Sequence, residues 1–263
     1  MMTARITLNQ TKQLERFTQD AVGRALKELN PDKDGMQRLI ERGGEFQSYI
    51  VSGLSRFTSK LPDDYTLARS ILGADFISPE EVAKSRKGVV YTDEQLTQFG
   101  NTVPSQEVLK WCSDNGYMLI AGPNRPMSLL EVLALRKDYF NAKEGGWYAE
   151  QTFAENEKVE TRWIMLCKET IAGTVRKNWF EQQVVLFEEE VIPNFVEVAW
   201  CMTTYKAVRN IYLLPNLYVR TSSLDSDSLR VSVGYFYEKG LHVYRHSDNN
   251  RVIDLGLSGV RKQ

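Results

Sequence analysis

Pro215 to Gln263 reads PNLYVRTSSLDSDSLRVSVGYFYEKGLHVYRHSDNNRVIDLGLSGVRKQ, and the composition of the chain changes where it begins. Past Pro215 there is no Trp, Cys or Pro, while both histidines of the protein, His242 and His246, fall inside it. Leu229, Val231 and Val233, then Leu241 and Val243, recur with a period of two. That is the signature of short strands with one buried face. Leu255 and Leu257 extend the apolar set. The other positions carry Ser232, Tyr235, Tyr237, His242, Tyr244, Arg245, His246, Ser247, Asn249 and Asn250. Amphipathic rings mixed with short hydrogen-bonding side chains suit a ligand-binding surface, because Tyr gives contact area at little entropic cost while Ser and Asn adapt their bonds. The same alternation also describes the wet face of any half-buried sheet.

Working outward, the 263 residues hold 42% hydrophobic and 25% charged side chains, a globular composition with room for two domains. No apolar run approaches the ~20 residues of a membrane span, and the first residues lack the apolar stretch of a signal peptide. Location is otherwise unmarked. With 33 basic against 34 acidic residues and no concentrated basic block, nucleic acid is not an expected partner. Cys112, Cys167 and Cys201 are scattered and odd in number, so they are expected as small buried hydrophobes.

Residues 1–115 read as an all-helical domain. Leu14, Phe17, Ala21, Val22, Ala25 and Leu29 share one helical face before Pro31. A second helix is expected around Met36–Arg42, and a third over Glu45–Phe57. Ser78 with Glu81 and Thr92 with Gln95 have capping-box spacing, and Ser105 opens a helix that Gly116 closes. Strands begin at Tyr117 with YMLIAG. After these come a short helix from Ser128, a strand over Thr161–Lys168 (TRWIMLCK), and helices near Asn178–Glu189 and over Phe195–Arg209. Residues 116–263 therefore read as an α+β domain with a mostly antiparallel sheet.

Most catalytic signatures are missing: no glycine-rich phosphate loop, no G-x-S-x-G, no HExxH, no CxxC. The two histidines lack the further ligands of a zinc site, so neither metal nor cofactor is expected. A Ser-His-Asp set can be drawn from Ser222 or Ser223, His242 and Asp254, but only geometry decides such triplets. Asp225 and Asp227 alternate as calcium ligands do, without the Gly and Glu of a calcium loop, and read as a solvated turn. Arg251 with Asp254 and Glu197 with Arg209 are expected as surface ion pairs.

Four segments in order carry a resemblance. IPNFVEVAW (192–200) is similar to the "LPTEAEWE" helix of the formylglycine-generating-enzyme type of C-type lectin fold. YVRTSS (218–223) stands where that family has "RGGS", LRVSVGYF (229–236) resembles "LRSAYR", and SDNNRVIDLGLSGVR (247–261) resembles its ending, "DNRNNNIGFRVAR". The resemblance covers about Tyr117–Gln263 and implies a C-type-lectin-like domain behind the helical one. The subfamily includes enzymes and also the variable proteins of diversity-generating retroelements, whose C-terminal codons are mutated at adenines. Asn codons altered in this way yield Tyr, His, Ser, Asp and Arg but never Lys or Glu, so Glu238 and Lys239 would be unmutated scaffold. The resemblance thus implies a non-enzymatic protein that displays a diversified C-terminal surface to a protein or cell-surface ligand. The alternatives are a metal-dependent enzyme of the formylglycine-generating type and a phage or mobile-element structural protein. Oligomerisation would use the N-terminal helices.

Overall fold

Tyr117–Ala121 (β2) and Trp163–Cys167 (β5) are apolar throughout and pair antiparallel, every residue buried. Strands covered on both faces need such runs. In the computed structural model, which describes residues 7–44, 46–47, 65–143 and 145–262, these two strands centre a five-stranded mixed sheet. Phe76–Ile77 (β1) joins it parallel to β2. Val260–Arg261 (β11) inserts between β5 and Glu190–Val191 (β6), antiparallel to both. A second sheet has the order β10-β7-β8-β9, built from Tyr218–Leu224 (β7), Arg230–Tyr237 (β8), Gly240–His246 (β9) and Leu255–Leu257 (β10). Only β10 and β7 run parallel in it. Met127–Ser128 (β3) and Lys158–Val159 (β4) form a small antiparallel pair. The fold is α+β, with mostly antiparallel strand pairs and no closed barrel among the described residues.

The chain divides into two compact units, 1–62 and 63–263, rather than at the expected 115/116. The reason lies in the helices Thr66–Leu72 (α3), Pro79–Ser85 (α4), Asp93–Asn101 (α5) and Gln106–Asp114 (α6), which wrap the first sheet. Tyr65, Phe76 and Phe99 surround Trp163 with ring centroids 5.6, 5.4 and 5.1 Å away, and the Trp163 indole donates to the Phe99 carbonyl at 2.9 Å. Buried Arg86 ties α4 to the long helix Phe195–Arg209 (α10), donating to Thr204 and Thr203 at 3.1 and 2.6 Å and lying 4.4 Å over the Trp200 ring. Residues 65–115 thus share one core with the strands.

The capping signals form as expected. Ser78 and Glu81, and Thr92 and Gln95, make reciprocal boxes, and Ser105 accepts the Val108 N–H. Asn194 and Glu197 cap α10 in the same way. Leu129–Leu135 (α7) and Thr152–Asn156 (α8) are short. The helix expected over 178–189 is only Trp179–Gln183 (α9), because Glu190 is drawn into register with Arg261 and its carboxylate takes the Phe187 N–H.

In the N-terminal unit, Leu8–Leu29 (α1) runs 22 residues and Lys33–Glu41 (α2) starts at an Asp32 cap, three residues before the expected Met36. Among its described residues none is buried, and Phe17, Leu29 and Ile40 are exposed. Apart from residues 46 and 47, the helix expected over Glu45–Phe57 lies outside the described residues.

Candidate functional site

On the second sheet, pairing puts Tyr218 opposite Gly234, Gly234 opposite His242, Arg220 opposite Ser232 and Ser232 opposite Tyr244. Directly paired residues share a face. Val219, Val231, Val233 and Leu241 point the other way, into the core. Strict alternation would put Tyr235 and Tyr237 with them, but β8 has a bulge between Gly234 and Tyr237, where Tyr235 takes φ +42°. The extra residue turns Phe236 into the core, and the Tyr235 ring comes to lie 4.6 Å from Tyr218. Gly234 is required at this point, since a Cβ there would fall 1.9 Å from the Leu217 carbonyl oxygen.

The result is a cluster of rings. Tyr244 lies 6.2 Å from Tyr218 and 5.0 Å from His246, which is itself 6.1 Å from Tyr218. Tyr244 is 56% exposed. The Tyr235 hydroxyl donates to Asp254 at 2.5 Å, and His246 Nδ1 lies 3.1 Å from the Ser232 hydroxyl. Burial, then the Arg220 charge, push the His246 imidazole down to about 4, against the pull of Asp254. Nearby, Tyr237 stacks on His242 at 5.2 Å and 12°. His242 is also held below its ordinary value, by burial first and then by Lys239, and its Nε2 is enclosed without a partner.

Beneath the rings Arg220 is fully buried. It donates to the carbonyls of Lys177, Ser247 and Asn250 at 3.1, 3.2 and 2.8 Å and to Gln182 Oε1 at 2.8 Å, which fastens the 247–250 turn to the α9 segment. Burial lowers its pKa to about 10. Within that turn the Ser247 N–H donates to Asn250 Oδ1 at 2.8 Å, and Asn249 is exposed.

The expected residues therefore separate. Tyr235, Tyr237, His242, Tyr244 and His246 share the face, and Ser247, Asn249 and Asn250 form the turn at its end. Ser232 lies on that side of the sheet but is fully buried. Arg245 faces the other way, opposite Val231, where it pairs with Asp225 and Asp227 at 3.0 Å each. Asp225 is correspondingly buried and accepts the N–H groups of Asp227 and Leu229, so its loop is an anchored turn rather than a plain solvated one. Leu229 and Val243, expected in the core, are half-buried.

Tyr218, Arg220 and Asp254 belong to the face and were not expected there. The alternation of Tyr218 and Arg220 with Val219 and Thr221 is the signal that marks the first two. Ser223 binds Glu157 and the Phe195 N–H, Asp254 binds Tyr235, and His242 stacks on Tyr237, so no Ser-His-Asp set forms. The expected ion pairs re-sort: Arg251 with Glu181, Glu197 with Arg162, and Arg209 with Glu81. All three cysteines are free and buried. No group of three or more potential metal ligands occurs among the described residues, and none of their helices is long and apolar enough to cross a membrane. Two open clefts, of about 430 and 390 Å³, lie elsewhere and include none of the expected residues. No family model, curated protein or solved structure matches the chain.

Proposed function

We propose that the protein is a non-enzymatic recognition protein whose C-terminal sheet displays a variable surface to a protein or cell-surface ligand, on a C-type-lectin-like domain of the formylglycine-generating-enzyme type. The observation that carries this reading is the ring cluster of Tyr218, Tyr235, Tyr244 and His246 on one face of the second sheet. Rigid aromatic side chains with few rotors, edged by the Ser247–Asn250 turn, are the usual make-up of an adaptable binding surface. The segments that carry the resemblance fall on α10, β7, β8 and the β10–β11 end of the chain, and so hold the face or its support. Glu238 and Lys239 form the exposed hairpin tip before Gly240, outside the ring cluster. The exposed apolar side chains of α1 and α2 are the assembly element in this reading.

The coding DNA gives the test. An adjacent reverse-transcriptase gene, with a near-identical repeat of the last codons differing mainly at adenines, is the expected finding. A unique C-terminal coding segment with no such repeat removes the diversification claim.

A further inference from the structure

The second sheet ends on two edge strands, β10 and β9, which differ in how their outer main-chain groups are matched. Along β10, the Leu257 carbonyl accepts the Ile171 N–H at 3.0 Å, the Leu257 N–H donates to the Thr174 hydroxyl at 3.1 Å, and the Leu255 carbonyl accepts the Gln182 amide at 3.3 Å. Along β9 only the start is covered. The Asn141 N–H donates to the Leu241 carbonyl at 3.1 Å, its side-chain amide donates to the Lys239 carbonyl at 3.3 Å, and Phe140 stands beside Leu241 as a one-residue parallel bridge. Gly240 admits this segment, since a Cβ there would fall 2.5 Å from the Phe140 carbonyl carbon.

In an antiparallel pair, residues alternate between bonding the partner strand and turning N–H and C=O the other way. The Leu241 carbonyl points away from β8 to reach Asn141, so Val243 and Arg245, at the same parity, point outward too. Their opposite numbers on β8, Val233 and Val231, agree with this, because the Val231 carbonyl accepts the Thr221 hydroxyl of β7 at 2.8 Å. Among the described residues nothing bonds to the N–H or C=O of Val243 or Arg245. Tyr244 between them is 56% exposed, and the Arg245 side chain 43%. A charge on an edge strand ordinarily discourages an added strand, but this one is matched by Asp225 and Asp227.

Two donors and two acceptors spaced along one strand are the complement of another extended backbone. We propose that the open edge of β9 binds an extended segment of the protein ligand by strand addition, in line with residues 140–141, an inference that rests on the recognition reading above. Residues of the added strand directly opposite Tyr244 and His246 share the ring face. The segment therefore presents an apolar or aromatic side chain there, while its main chain bonds Val243 and Arg245.

Heptapeptides selected from a displayed random library on the full-length protein are the probe, followed by calorimetry and by amide hydrogen exchange. Bound peptide is expected to slow exchange at Val243 and Arg245. Arg245→Pro removes one outward donor that the fold does not use, as edge strands permit, and should weaken the peptides at least tenfold. Arg245→Val loses the same ion pairs but keeps the N–H, and should bind as the wild type does. If Arg245→Pro fails to fold, exchange at the two wild-type amides still decides. Peptides weakened by Tyr244→Ser but not by Arg245→Pro would keep the ring surface and overturn strand addition, whereas the reverse pattern would keep strand addition and count against the ring cluster. A library without binders, unchanged exchange at both amides, equal affinity of Arg245→Pro and Arg245→Val, or a wild-type dimer that Arg245→Pro makes monomeric would each overturn the proposal.

Discussion

His246 shows what burial does to a residue whose type alone suggests an adaptable contact. Its imidazole is neutral at pH 7 and stays so down to about 4, because burial and the Arg220 charge disfavour the proton. The unfolded chain takes up that proton near the ordinary value of 6.5, so this contribution to stability is fully present above 6.5 and is lost as pH falls toward 4. Melting temperatures between pH 7 and 4.5 should therefore fall less steeply for His246→Gln than for the wild type. Equal slopes would refute the assignment. Ser232 differs from its neighbour Tyr244 in the same physical respect. Filling its enclosed position, as in Ser232→Tyr, should cost about 1–3 kcal/mol through overpacking, whereas Tyr244→Ser at an exposed position should stay within about 0.5 kcal/mol. Chemical denaturation of the two variants separates these cases. Side-chain type in the sequence marked both as surface residues. What distinguishes them is the neighbourhood of Ser232: buried Arg220, held by residues 177, 182, 247 and 250, stands opposite it, and His246 lies 3.1 Å from its hydroxyl, partners from distant segments that leave no local pattern.

At the level of elements, the strands and capping boxes were legible because period-two alternation and Ser/Thr-x-x-Glu/Gln spacing are local consequences of backbone geometry. The bulge at Tyr235 was not legible. It follows from the approach of Leu217 to Gly234, which only tertiary packing creates. Gly234→Ala should force β7 and β8 apart and destabilise by about 1–3 kcal/mol or more, since its Cβ would meet backbone rather than a movable side chain. A Gly234→Ala variant as stable as wild type would contradict the close approach. Arg220 is the second element-scale feature that the sequence conceals, because an Arg on a strand reads as solvated. Replacing it with Met leaves four acceptors without their donor, at about 1–3 kcal/mol for each one that water cannot reach. Hydrogen exchange should show the loss first in the 247–250 turn, and an unchanged turn would argue against the clamp.

For the whole molecule, the sequence placed the α+β character and the longer strands and helices, but it read residues 1–115 as all-helical and missed β1, β3, β4 and β6, whose two residues each show no period, and it set the division at 115/116 because the change from helices to longer strands occurs there. Packing sets it at 62/63, since Phe76, Phe99 and Tyr65 complete the core around Trp163. A fragment of residues 63–263 should melt cooperatively, and one of residues 116–263 should not. A cooperative melt of the shorter fragment would contradict the shared core. Within the longer unit, the central claim is that one sheet carries a fixed core face and an adaptable outer face. The direct measurement is a melt series over two sets: Val231, Val233, Leu241, Leu255 and Leu257, each changed to Ala, against Tyr237, Tyr244 and Asn249, each changed to Ser. The first set should lose the ~1–5 kcal/mol typical of core truncation and the second less than about 0.5 kcal/mol. Equal losses in the two sets would make the rings part of the core and contradict the recognition surface.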